Sequence, residues 1–293
     1  LSTIQHPAPI ETHHPLSAED RESETELIAA IERGRDYFAR APHEAYDALT
    51  ALTPIVAGLE LEAVDLGDVC GWWIRPPAAP PDRAILFVHG GAYRLGSARA
   101  YRGFASQIAA RAGVAAFVLE YPLAPARPFP AAYDAVIAAL PWLRARGFAY
   151  ASLVGDSAGG GLVLAASNAH APASPAIRSV VAFSPWTDLA CSGESFSDPN
   201  VIDPIFDPVV LREAASVYLA GAEHRGTRVA IFVPLPSTTE RLRSPTATRF
   251  AVGAECVAST VVSAKAGALE TTAIVAAMRG RKTFFMLVLS RQC

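Results

Sequence analysis

The sequence predicts an α/β protein with a mostly parallel sheet flanked by helices, on three observations. Short apolar runs such as 84–88 and 114–120 alternate with helix-length stretches at about 98–112 and 132–146. That βαβ rhythm belongs to a buried parallel sheet. The run 151–154 leads into Gly155-Asp156-Ser157-Ala158-Gly159 and a small-residue helix, the signature of a sharp strand-to-helix turn. The run 84–88 ends in His89-Gly90-Gly91-Ala92-Tyr93, a glycine loop that lets backbone N–H groups approach a reacting atom.

The remaining elements follow in order. The first 16 residues, rich in Pro and His, read as a loose arm. Ser17-Ala18-Glu19-Asp20 has the form of a helix cap, and Leu27, Ile28, Ile31, Tyr37 and Phe38 recur at near-helical spacing through Arg40. Residues 61–66 and 69–75 form a strand pair turning at Gly67-Asp68, and 76–81 is a proline-rich connection. Within the second strand Trp72 and Trp73 face opposite ways, so at most one can line a pocket. Residues 178–183 supply a further strand, and Asp207-Pro208 opens an amphipathic helix.

The chemistry centres on Ser157. A serine on so tight a turn presents its oxygen in a strained, exposed position, and the close chain approach favours glycine two residues before and after, here Gly155 and Gly159. Ester cleavage passes through a tetrahedral oxyanion, and the N–H groups of Gly90, Gly91 and Ala158 are the candidate donors for it.

Four segments in order now carry a resemblance: His89-Gly90-Gly91-Ala92-Tyr93; Glu120-Tyr121-Pro122-Leu123-Ala124-Pro125 with Phe129-Pro130-Ala131-Ala132; the Ser157 turn; and Ser184-Pro185-Trp186-Thr187-Asp188-Leu189. Together they resemble the hormone-sensitive-lipase-like (bacterial family IV) esterases of the α/β-hydrolase superfamily. The third glycine of the usual loop is Ala92, and Ala126 and Arg127 replace the usual acid and histidine after Leu-Ala-Pro. The resemblance implies an α/β-hydrolase fold over 51–293 with a cap built from residues 1–50 and a second element at about 190–220. It further implies hydrolysis of small-molecule carboxylic esters of short to medium acyl chain through an acyl-enzyme on Ser157, without a cofactor. A monomer and a homodimer are both left open.

A serine nucleophile needs a base, and in this superfamily the acid and then the histidine follow the serine. Glu255, in Ala251-Val252-Gly253-Ala254-Glu255, resembles the family's acid segment; its alternative is a surface carboxylate. The histidine is not identified. His89 belongs to the glycine loop, and His170, thirteen residues along the same helix, would lie roughly 20 Å from Ser157. His224 has no motif context, and no histidine follows it.

That absence coincides with a break in composition. Residues 1–224 carry 15 Lys and Arg against 25 Asp and Glu, a net of −10, whereas 225–293 carry 10 against 3, a net of +7, with no Asp, His, Tyr or Trp. A tail so unlike its domain is either divergent or read in a shifted frame. At Phe285-Met286, the last base of a Phe codon joined to the first two of ATG reads CAT or TAT, and CAT encodes histidine. A catalytically impaired or ligand-binding relative of the same fold is therefore the alternative to an esterase.

Bulk properties bound the rest. A chain of 293 residues with 51% hydrophobic content suffices for one large domain and a cap, and a net charge of −3 gives no reason to expect nucleic acid or an anionic membrane as partner. Cysteines 70, 191, 256 and 293 show neither zinc nor disulfide spacing, and no metal site is expected. With no signal-like start and no apolar run of membrane-spanning length, the expected location is cytoplasmic.

Overall fold

A computed structural model describes residues 10–12, 17–167, 173–193, 196, 207–222, 259–261 and 286–290. The N-terminal stretch forms β1 (Ile10–Thr12), α1 (Ala18–Arg40) and α2 (Pro42–Thr50). The break falls at Pro42, whose ring suits the first turn of a helix and whose missing N–H cannot continue the preceding one. The loose arm expected for the first 16 residues is corrected in one respect: Ile10–Thr12 pairs antiparallel with β8 (Ser259–Val261).

Then follow β2 (Glu60–Leu66), β3 (Val69–Arg75), β4 (Arg83–Val88), α3 (Arg102–Ala112), β5 (Ala115–Glu120), α4 (Ala131–Ala145), β6 (Tyr150–Asp156), α5 (Ser157–Ser167), β7 (Ala176–Phe183), α6 (Pro208–Leu219) and β9 (Met286–Ser290). Helix α3 begins later than periodicity suggests, because residues 98–101 are a turn. The Ala98 N–H is held by Glu120 Oε2 at 2.9 Å and the Ala100 N–H by Ser97 Oγ at 3.1 Å. Asp207 caps α6 by accepting the Val209 N–H at 2.7 Å.

The large sheet has the order β2-β3-β5-β4-β6-β7-β9. Its four central strands β5, β4, β6 and β7 are parallel, as the βαβ rhythm predicts; β2, β3 and β9 join antiparallel. Alternate residues of β4 serve opposite faces. Leu86 and Val88 pack with Leu140 and Val136 of α4 and Leu162 of α5, while Ile85 and Phe87 pack with Tyr101 and with Ala105 and Ala109 of α3. Trp73 is buried beside Phe117, Trp142 and Phe148, and Trp72 lies on the other face beneath Arg102, so the two face opposite ways. Among the described residues no helix is long and apolar enough to cross a membrane.

Candidate active site

Strands β4 and β6 are neighbours in register, Val88 beside Gly155, so the loops leaving their carboxyl ends lie side by side. The chain leaves β4 for β5 on one side and returns past it to β6 on the other. Open α/β sheets hold ligands at such a switch point.

Strand becomes helix with no residue between, β6 ending at Asp156 and α5 starting at Ser157. Ser157 has φ +48°, a left-handed conformation that is costly for a residue with a side chain. The flanking glycines are there because backbone fills the space a side chain would need. A Cβ on Gly155 would meet the Gly159 carbonyl, and one on Gly159 would overlap the carbonyls of Val88 and His89. Gly160 and Gly161 play the same part against Pro185 and Trp186, while the Trp186 N–H donates to the Ser157 carbonyl at 2.8 Å. The half-buried Ser157 leaves its Oγ without a hydrogen bond to any described residue.

Beside it, the glycine loop is fixed from several directions. The N–H groups of Arg94 and Leu95 both reach the Gly91 carbonyl, at 3.0 and 2.8 Å, and the Tyr121 hydroxyl donates to the His89 carbonyl at 2.8 Å. His89 Nδ1 lies 2.8 Å from the Gly90 carbonyl, which can only accept, so this nitrogen carries the proton. Its ring is fully buried against Tyr121, centroids 4.2 Å apart, and burial pushes its pKa down to about 4. His89 is thus a neutral structural group, as expected from its place in the loop.

One expectation about the loop is revised. The Gly90 N–H donates to Asp156 Oδ1 at 2.8 Å, so it is spent inside the protein and cannot serve an oxyanion. The N–H groups of Gly91, Ala92 and Ala158 find no acceptor among the described residues. Ala158 stands in the first turn of α5, whose N–H groups have no intrahelical partner. Gly91 and Ala158, two of the three expected donors, are thus uncommitted among the described residues, as is Ala92 of the same loop, at φ +55°.

Asp156, between Gly155 and Ser157, is a site residue to which the sequence pattern assigns no role. Its Oδ2 accepts the Tyr101 hydroxyl at 2.8 Å, and Tyr101 lies 2.9 Å from the hydroxyl of Tyr46 on α2. Burial pushes the Asp156 carboxyl up to about 6, against the opposing pull of the Tyr101 and Gly90 hydrogen bonds. Tyr93, next in the loop, stacks on Tyr218 of α6 with centroids 3.8 Å apart, and Arg94 pairs with Glu213 at 3.6 Å.

Neither an acid nor a base is brought to Ser157 by the described residues. Glu255, His170 and His224 lie outside them, and the two histidines inside are His89 and His43, the latter exposed on α2. Met286 pairs with Phe183, and Phe183 pairs with Asp156, so β9 starts at the edge of the sheet that carries Ser157. A groove of about 520 Å³ lined by Glu62, Trp73, Arg75, Arg146 and Phe148 includes none of the site residues.

Comparison with known proteins agrees with this geometry. A family model described as alpha/beta hydrolase fold matches residues 85–273, a stretch that includes Glu255 and ends before Met286. An acetyl-hydrolase of Streptomyces hygroscopicus is 38% identical over 167 residues, 56% of each chain, and mouse hormone-sensitive lipase is 30% identical over 49% of this chain and 20% of its own. A crystal structure of an esterase from the bacterial hormone-sensitive lipase family superimposes with a TM-score of 0.63 at 33% identity, covering 72% of both chains. The chain belongs to the α/β-hydrolase fold family, in its hormone-sensitive-lipase branch. It spans 56% to 58% of the length of the first curated relatives it matches.

Proposed function

We propose that the protein hydrolyses carboxylic esters of short to medium acyl chain through an acyl-enzyme on Ser157, without a cofactor. Ser157 Oγ attacks the ester carbonyl and the N–H groups of Gly91, Ala92 and Ala158 receive the oxyanion. A histidine takes the serine proton and returns it to the departing alcohol, and in a tail read in its present frame Glu255 is the acid that orients that histidine. Water then attacks the acyl-enzyme and releases the acid. The observation that carries this reading is a serine on a strained turn whose oxygen, like the N–H groups of Gly91, Ala92 and Ala158 beside it, has no partner among the described residues. The esterases and acetyl-hydrolase among its relatives support the same chemistry. The test is turnover of p-nitrophenyl esters of increasing acyl length by the wild type and by Ser157→Ala. Loss of the serine should remove the reaction; equal rates would reject the mechanism.

A second reading, a catalytically impaired or ligand-binding relative, is favoured by one observation: the chain has no histidine after position 224. We read residues 225–293 as an atypical tail, either divergent or read in a shifted frame; its +7 charge and a junction at Phe285-Met286 that reads CAT or TAT in another frame support the shift. The family match to residue 273 weighs on the other side. Sequencing the DNA for this region decides between them.

A further inference from the structure

Each tyrosine hydroxyl has one proton. Tyr101 gives its proton to the ionised Asp156 at 2.8 Å, so in its 2.9 Å contact with Tyr46 it must be the acceptor. The hydrogen bonds therefore run one way, from Tyr46 to Tyr101 to Asp156, and Asp156 in turn accepts from Gly90. Each donor in such a chain is strengthened by the one behind it. The chain begins on α2 and ends on the loop beside Ser157, joining elements far apart in sequence. A second contact ties the same helix to the same turn: Ser97 Oγ donates to Asp47 Oδ2 at 2.7 Å.

We propose that Tyr46 and Tyr101 are positioning residues for the oxyanion loop, so that the seating of helix α2 on the 97–101 turn sets the geometry of Gly90 and hence of the donors that follow it. The charged and titratable groups around Asp156 are few. Tyr46 and Asp47 come from α2, Tyr101 from the turn, Glu120 and Tyr121 from the end of β5, and His89 from the loop itself. Tyr121 holds the His89 carbonyl and Glu120 holds the Ala98 N–H, so neither competes for the Asp156 oxygens.

The inference rests on reading residues 89–92 as an oxyanion loop, but its test needs no turnover. The Gly90 amide proton is followed by NMR as a function of pH in wild type, Tyr46→Phe, Tyr101→Phe and the double variant. In wild type this amide should report the titration of Asp156, with a midpoint near 6. Loss of the Tyr101 hydroxyl should raise the midpoint, because a bond to the charged form has gone, and Tyr46→Phe should raise it less. The double variant should match Tyr101→Phe alone, since Tyr46 acts only through Tyr101. An unchanged Gly90 signal in Tyr46→Phe, or additive effects in the double variant, overturns the relay. Failure of the esterase reading is recognised separately, as absence of covalent modification at Ser157 while the Gly90 titration persists. Where the protein turns over esters, Tyr46→Phe should lower kcat about 3- to 10-fold with KM unchanged, the scale of one hydrogen bond.

Discussion

Asp156 Oδ1 accepts the Gly90 N–H at 2.8 Å, so the residue before Ser157 holds the glycine loop that leaves the neighbouring strand. The two halves of the site come from different strands, and this carboxylate joins them. Replacing it by alanine strands the buried Gly90 N–H, at a cost of about 1–3 kcal/mol, and leaves the Tyr101 hydroxyl only its contact with Tyr46. Asp156→Ala should therefore unfold at markedly lower urea than Asp156→Asn, whose amide can still accept from Gly90. Equal midpoints for the two variants would mean that the hydrogen bonds contribute nothing to the fold.

The same carboxylate and His89 predict an unusual acid profile. Asp156 is pushed from 3.8 to about 6, so between those values the folded protein binds more protons than the unfolded chain and stability falls as pH rises. His89 is pushed from 6.5 to about 4, so across nearly the same window the unfolded chain binds more protons and stability rises. The two displacements are of similar size and oppose each other. Removing the first in Asp156→Asn should uncover a stability that climbs steeply from pH 4 to 6.5 relative to wild type. Parallel profiles in urea titrations would contradict this assignment.

Gly159 is fixed by backbone on the neighbouring strand. A Cβ there overlaps the Val88 and His89 carbonyls, which cannot swing away as a side-chain tip could. Gly159→Ala should cost at least about 3 kcal/mol, the upper part of the overpacking range, or prevent folding. By contrast Gly147→Ala, with open space around it and φ +94°, should cost only the backbone strain. Thermal unfolding of the pair checks the difference.

What could be read from the sequence was what local pattern encodes. Fully apolar runs gave β4 and β5, and the glycines around Ser157 gave the turn, because each is dictated by a few adjacent residues. The relay from Tyr46 through Tyr101 to Asp156 had no such signature. Each link joins residues 55 positions apart, and nothing local distinguishes a tyrosine that reaches a carboxylate from one that packs. The Gly90 assignment was revised for a related reason: spacing identifies a glycine loop, but which N–H is spent inside the protein depends on the partner opposite. The pairing of Ile10–Thr12 with Ser259–Val261 was equally beyond local pattern.

That no described residue supplies a base to Ser157 leads to a prediction about the gene. If 225–293 is frame-shifted, restoring the frame should place a histidine at the Phe285-Met286 junction, next to the strand position that pairs with Phe183. Esterase turnover should then rise by several orders of magnitude, up to about 10⁶-fold, the scale on which a serine enzyme depends on its histidine. DNA that confirms the present frame, together with a His224→Ala variant that loses activity, would instead assign the base to His224.

The account stands or falls on Ser157 as the nucleophile. Incubation with a fluorophosphonate and intact-mass measurement should give one adduct, located by peptide mapping on Ser157, that is absent from Ser157→Ala. No adduct on the wild type, or the same adduct on Ser157→Ala, would contradict it.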